Sequence, residues 1–391
     1  MPKFPKLSEH ALSVSHRVYS DLEQRARKAN QQIYPLHVGD TYRDPLDAAR
    51  AERQLSGEHP GLHKYAPVQG EPSLIDAFIA YVETRHGETL RRELVQVMSG
   101  ATAGLSVVCQ VLLEPDDEVL LPSPFWPLSR GIIATKGAVP VQVPFYTRLD
   151  EPGFDPEAAL ESAVTERTVA LYINTPNNPS GRVLSDTSIE AMLRVAKRHG
   201  LWVLCDEAYE EIYYGSAAPD AVWKRPEIRD QAIAFHTLSK TYGLAGARVG
   251  FTHGPAGVMS AIAGMQTFHT YCAPRPMQLG AVQALRQGND WIAESRSLYR
   301  DAGYRTADAL GVPRPEGGTF LFLDASPHLS PGAEDCSGFL QRCADVGVLL
   351  TPGRSCGADY ANWVRLCFTS VPPAQLAVAL SKLAPLFRAR S

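Results

Sequence analysis

The segment His236-Thr-Leu-Ser-Lys-Thr-Tyr-Gly-Leu-Ala-Gly-Ala-Arg-Val-Gly250 gathers an amine, several hydroxyls and a guanidinium into one short stretch. The apolar run before it (Ala232, Ile233, Ala234, Phe235) reads as a short buried strand. Two hydroxyls, Lys240, glycines and Arg248 follow. A lysine delivered by a rigid strand end can condense with an aldehyde, while Thr237, Ser239 and Arg248 neutralise and hydrogen-bond a phosphate. A phosphate-bearing aldehyde cofactor needs that combination. A surface lysine beside a structural arginine fits the same residues, so the rest of the chain has to decide.

Asp206 closes the apolar run Trp202-Val-Leu-Cys205 and precedes Glu207, Ala208 and Tyr209. A carboxylate at a buried strand end is costly unless a cation or several donors meet it. A protonated ring nitrogen is one such cation, and Tyr209 is placed to donate to a ring oxygen; capping of a following helix is the plainer role for Asp206. Asn174-Thr-Pro-Asn-Asn-Pro-Ser-Gly181 also follows an apolar run, and its prolines and glycine fix a turn that presents Asn178 above the strand end. Ser99-Gly-Ala-Thr-Ala-Gly104 opens an apolar helix, leaving the Ala101 and Thr102 amides free for a phosphate. As a glycine pattern it matches neither a nucleotide-binding loop nor a dinucleotide fingerprint. Trp126, in Ser123-Pro-Phe-Trp-Pro127, suits stacking on a planar ring or ordinary core packing.

These residues need a scaffold that brings strand ends together. β-rich runs at 94–98, 118–121, 139–143, 168–173, 202–205, 232–235 and 249–252 alternate with amphipathic stretches such as 102–113 and 187–199. The pattern predicts an α/β fold with a mainly parallel seven-stranded sheet flanked by helices. Ligands of such sheets gather at the carboxyl ends of the strands, where all the polar segments above fall. Beyond about residue 287 a long helix (290–310), a strand (317–323) and a helix after Pro373 predict a smaller α+β domain. The expected limits are 1–47 for an N-terminal arm and part of the small domain, 48–286 for the large cofactor-binding domain and 287–391 for the small one.

Composition narrows the class. The 391 residues carry a net charge of −4 without a dense basic tract, which argues against nucleic acid as a partner. No apolar run approaches the about 18 residues of a membrane span, and Met1–His16 lacks the apolar core of a secretion signal. Seven scattered cysteines without a Cys-x-x-Cys pair argue against a disulfide framework or a zinc site and predict a cytoplasmic location.

In order, type and spacing, the glycine-rich turn, aromatic, Asn-Pro-Ser-Gly, Asp-Glu-Ala-Tyr, Ser-Lys and Arg resemble the class I/II aminotransferases, fold-type I pyridoxal-phosphate enzymes. The similarity runs from about Gly39 to Arg365. It implies that Lys240 is the Schiff-base lysine and proton shuttle, and that Asp206 partners the pyridine nitrogen. Asn178 and Tyr209 would meet the ring hydroxyl, and Trp126 would stack on the ring. Thr237, Arg248 and the Ala101 and Thr102 amides would form the phosphate cup. Tyr65, in Gly61-Leu-His-Lys-Tyr65, would reach the phosphate of a partner subunit, which implies a homodimer. Arg365 would clamp the substrate α-carboxylate, to which Gly39 would lend its backbone. A guanidinium grips a carboxylate through two parallel bonds, which an ammonium cannot do.

The chain departs from the family pattern at several points. Thr237 stands where serine is common, and Cys356 where an aromatic is usual. His269-Thr-Tyr-Cys-Ala-Pro274 fits no pattern, yet lies where cofactor- or substrate-facing residues are expected. No residue matches a second, side-chain-binding arginine. The implied reaction moves an amino group from an amino acid to a 2-oxo acid. The same cofactor also supports β-elimination or an ACC-synthase-like ring closure, and the fold also serves as a non-catalytic ligand sensor.

Overall fold

Seven short strands form one sheet: β1 (Val95–Met98), β2 (Glu118–Ser123), β3 (Val139–Pro144), β4 (Thr168–Asn174), β5 (Trp202–Asp206), β6 (Ala232–Thr237) and β7 (Gly250–His253). They belong to a computed structural model that describes residues 20–29, 31–54 and 59–388, so Met1–His16 lies outside the described residues. The sheet order is β1-β7-β6-β5-β4-β2-β3, and β7 alone runs against its two neighbours. All seven strands expected of this sheet are present, with ends moved by at most two residues.

The sheet is covered on both faces because its strands alternate apolar residues toward two cores. Ile233 and Phe235 of β6 pack with Leu105, Val108 and Ile262 from the helices Ala101–Leu112 and Ala256–His269. Ala232 and Ala234 of the same strand face Phe78, Met192 and Leu193 from the helices Pro72–His86 and Asp186–His199. Burial on both faces explains why β2 and β6 read as continuous runs without a polar face.

A second, antiparallel sheet is built from β8 (Phe320–Asp324), β9 (Thr351–Pro352) and β10 (Trp363–Cys367), with β10 in the middle. It shares a third core with the helices Asn289–Leu310, Ser337–Asp345 and Pro373–Leu383. Tyr34 and Leu36 join this core, and Tyr34 bridges Val348. Among the described residues no helix is long and apolar enough to cross a membrane.

The helix termini show how the fold reserves one end for a ligand. Helix Asp186–His199 is capped by Ser185, whose side chain accepts the Ser188 N–H, and stops at left-handed Gly200. Helix Ala101–Leu112 starts instead at Gly100, which has no side chain to offer its first amides. This open terminus abuts β7 so closely that a Cβ on Gly250 would meet the His236 carbonyl at 2.5 Å and the Ala101 nitrogen at 3.0 Å. Gly250→Ala should therefore cost about 1–3 kcal/mol of stability, since both obstacles are backbone. A lowered urea midpoint with an unchanged slope checks this. Gly257→Ala, with nothing within 4 Å, serves as the neutral control.

Candidate active site

Asn174, Asp206 and Thr237 end β4, β5 and β6, three adjacent strands whose carboxyl ends lie on one edge of the sheet. At that edge a cavity of about 210 Å³ is lined by Gly39, Ala101, Thr102, Trp126, Asn178, Asp206, Tyr209, Thr237, Lys240, Arg248 and Arg365. Ser239 lines it as well, so of the residues the sequence points to only Tyr65 is not among the lining residues.

Lys240 sits on the one-turn helix Leu238–Thr241 directly after β6, with Thr237 as its N-cap. The Thr237 hydroxyl accepts the Ser239 N–H at 3.2 Å and donates to the Ser239 hydroxyl at 2.9 Å. The Lys240 ammonium donates to the Gly39 carbonyl. Burial lowers its pKa, Arg365 and Arg248 add to this, and Asp40 opposes it. Desolvation thus outweighs the neighbouring cations.

One wall is built for an anion. The open terminus at Ala101 and Thr102, the nearly buried Thr237 and Ser239 hydroxyls and Arg248 converge there. Arg248 has φ 53°, a left-handed conformation that costs a side-chain-bearing residue about 1–2 kcal/mol. Its guanidinium is held by the Ala245 carbonyl at 3.0 Å and the Ser99 carbonyl at 3.2 Å. Strain kept at such a point motivates a functional reading.

Asp206 provides the opposite charge. Its carboxylate accepts the Tyr172 hydroxyl and, at 3.0 Å, the Ala208 N–H. Burial raises its pKa, and these two donors partly offset the rise. Asn174, beside it, donates to the Asp206 carbonyl at 3.1 Å and accepts the Asn178 N–H at 2.8 Å. Asn178 in turn faces the Tyr209 hydroxyl at 3.5 Å.

Arg365 reaches the same cavity from β10. Its guanidinium donates to Asn178 Oδ1 at 3.0 Å, the His37 carbonyl at 3.1 Å and the Thr351 hydroxyl at 3.2 Å. It lies 4.5 Å from the centre of the Phe320 ring, which also touches Gly39. The residue is 6% exposed, and its Nε has no partner. Among the described residues no carboxylate forms an ion pair with it. A buried guanidinium held by neutral acceptors is poised for an anionic ligand.

Tyr65 is 80% exposed, with its ring 4.9 Å from that of Tyr271. The segment 269–274 therefore lies beside Tyr65, and none of its residues lines the cavity. Cys356 is buried, and its carbonyl accepts the Phe125 N–H at 2.9 Å, tying the Trp126 turn to the small lobe. Sequence reasoning missed Asn174, Phe320 and Tyr172. Asn174 stood in view at the head of the Asn-Thr-Pro turn, whereas no local signal marks Phe320 or Tyr172.

The residues present fit pyridoxal phosphate, with an anion cradle at one pole, a buried carboxylate at another and an amine between them. The family model for class I and II aminotransferases matches residues 31–383. The chain belongs to this family. Its aminotransferase relatives include the arginine–pyruvate transaminase of Pseudomonas aeruginosa, 29% identical over 91% of this chain and 89% of that one. Another is the aspartate/prephenate aminotransferase of Thermus thermophilus, 30% identical over 88% of each. Among solved structures, N-succinyldiaminopimelate aminotransferase from Mycobacterium tuberculosis superposes with a TM-score of 0.88 at 27% identity, covering 97% of this chain and all of that one. The enzyme thus carries the fold-type I architecture and depends on pyridoxal phosphate.

The buried position of Lys240 has a consequence for this aminotransferase. Because burial disfavours the charged form, Lys240 gives up its proton at lower pH than a free lysine, whose ordinary value is 10.5. Capture of pyridoxal phosphate by the cofactor-free protein should accelerate with pH and level off below that value. Stopped-flow absorbance checks this, and a midpoint at or above the ordinary value would contradict it.

Proposed function

We propose that this enzyme moves the amino group of an amino acid to a 2-oxo acid, with Lys240 as the cofactor-linking residue and the base for the Cα proton. Bound pyridoxal phosphate supplies an electron sink for the charge left at Cα. Asp206 holds a proton on the ring nitrogen, and Asn178 and Tyr209 bind the ring hydroxyl. Ala101, Thr102, Thr237 and Arg248 hold the phosphate, while Trp126 covers a ring face. Arg365 grips the α-carboxylate, Gly39 contributes backbone to it, and the Cα–H is thereby turned toward Lys240. Lowered basicity suits Lys240 to accept a proton near neutral pH.

The reading rests above all on Arg365, a buried cation without a carboxylate partner among the described residues, which opens onto the same cavity as Lys240 and Asp206. In this reading the working unit is a homodimer. Tyr65, Phe268 and Tyr271 are 80%, 88% and 44% exposed, which supports a second copy covering them. All seven cysteines are free, and six are buried, in keeping with a reducing cytoplasm.

Lys240→Ala should lower the rate of amino transfer by about 10²–10⁴-fold or more, measured with an amino acid panel and a 2-oxo acid acceptor. Arg365→Lys should chiefly raise KM for the amino acid, with kcat/KM falling about 10–100-fold as one charge-assisted bond is lost. A Lys240→Ala enzyme that still transaminates contradicts the assignment. Mixing Tyr65→Ala and Lys240→Ala subunits should restore activity above either parent, because one site of the hybrid is then intact. Hybrids no better than the parents would place Tyr65 outside the partner's site.

A further inference from the structure

Behind the cavity, four buried side chains form an unbroken hydrogen-bonded row: His86 Nε2 to Glu210 at 2.9 Å, Glu210 to His236 Nδ1 at 2.8 Å, and His236 Nε2 to His253 Nε2 at 3.0 Å. They come from the end of helix Pro72–His86, the segment after β5, β6 itself and the end of β7. Phe78, Tyr81 and Trp223 pack around the rings. Among the described residues no group of three or more His, Cys, Asp or Glu side chains is arranged to hold a metal ion, so the row is not a metal centre.

Burial alone would raise the Glu210 carboxyl, but His236 and then His86 outweigh it and hold the group well below the usual carboxylate range. A buried carboxylate needs donors close by, and both imidazoles bonded to it present a ring N–H. The far nitrogen of His236 is in turn bonded to His253, whose pKa burial and His236 hold well below the ordinary value. The other titratable groups facing the row are Asp206 and Glu207, on the Glu210 segment, with Tyr81, Arg85 and Tyr242.

We propose that His236 and Glu210 are positioning residues: the histidine–carboxylate hydrogen bond between them locks the segment of Asp206 and Tyr209 against the segment of Thr237 and Lys240. Glu210 directly follows Tyr209, and His236 directly precedes Thr237, so the bond clamps both cavity segments at adjacent positions. His253 holds the far nitrogen of the His236 ring, and His86 orients the carboxylate. The inference rests on the reading of Lys240 and Asp206 given above.

The test combines activity with measurements on the cofactor-free protein. His236→Phe and Glu210→Gln should lower kcat about 10–100-fold, as loss of an orienting partner does, with KM nearly unchanged. His236→Asn, which can still donate to Glu210, should recover much of that loss. In the cofactor-free protein, amide exchange across 206–211 and 237–241 should quicken in both disruptive variants while 320–324 stays protected. Wild-type kcat and unchanged exchange in Glu210→Gln and His236→Phe would overturn the proposal. If His236→Phe does not fold, Glu210→Gln and His236→Asn decide by the same readings. A wild-type enzyme without amino transfer would instead count against the site assignment, leaving amide exchange to judge the clamp.

Discussion

The buried guanidinium of Arg365 is the constraint around which the rest is arranged. It is anchored on β10 in the small sheet, yet one of its bonds goes to Asn178, in the turn after β4 of the large sheet. Charge buried this way is tolerated only where geometry and donors are well met. Asn178, His37 and Thr351 supply neutral acceptors, and Phe320 offers the face of its ring. The guanidinium is 6% exposed, so a carboxylate entering the cavity would meet a charge already largely stripped of water.

From that point the electrostatics run in sequence across the cavity. The cation of Arg365, the amine of Lys240, the carboxylate of Asp206 and the guanidinium of Arg248 all line one cavity. Asp206 ends a strand, Lys240 is three residues beyond one, and Arg365 lies within one. Rigid placement matters because orientation of the reacting bond accounts for much of the rate advantage such a site gives.

The central strands were legible because burial on both faces makes them apolar runs, and β4, β5 and β6 end in a polar residue, whereas the edge strand β3 is only partly buried. The polar residue is the informative one: Asp206 after Trp202-Val-Leu-Cys205, and Thr237 after Ala232–Phe235. Arg365 and Gly39 became legible through family resemblance, since nothing local separates Arg365 from an ordinary strand arginine. Phe320 and Tyr172 were hidden because their roles depend on which strands lie side by side, a matter of tertiary register. The row of histidines was hidden for the same reason, being contributed by four elements far apart in the chain. The segment 269–274 lies against Tyr65, where a left-handed Tyr271 turns the chain.

Gly39 touches the Phe320 ring so tightly that even one methyl group would sit 2.7 Å from it. Its neighbour Val38, by contrast, is 44% exposed. Position 38 has room for side chains of many sizes. At position 39 even the methyl of alanine would have to displace the tip of the Phe320 ring, and a larger side chain would drive that ring from its place over the guanidinium.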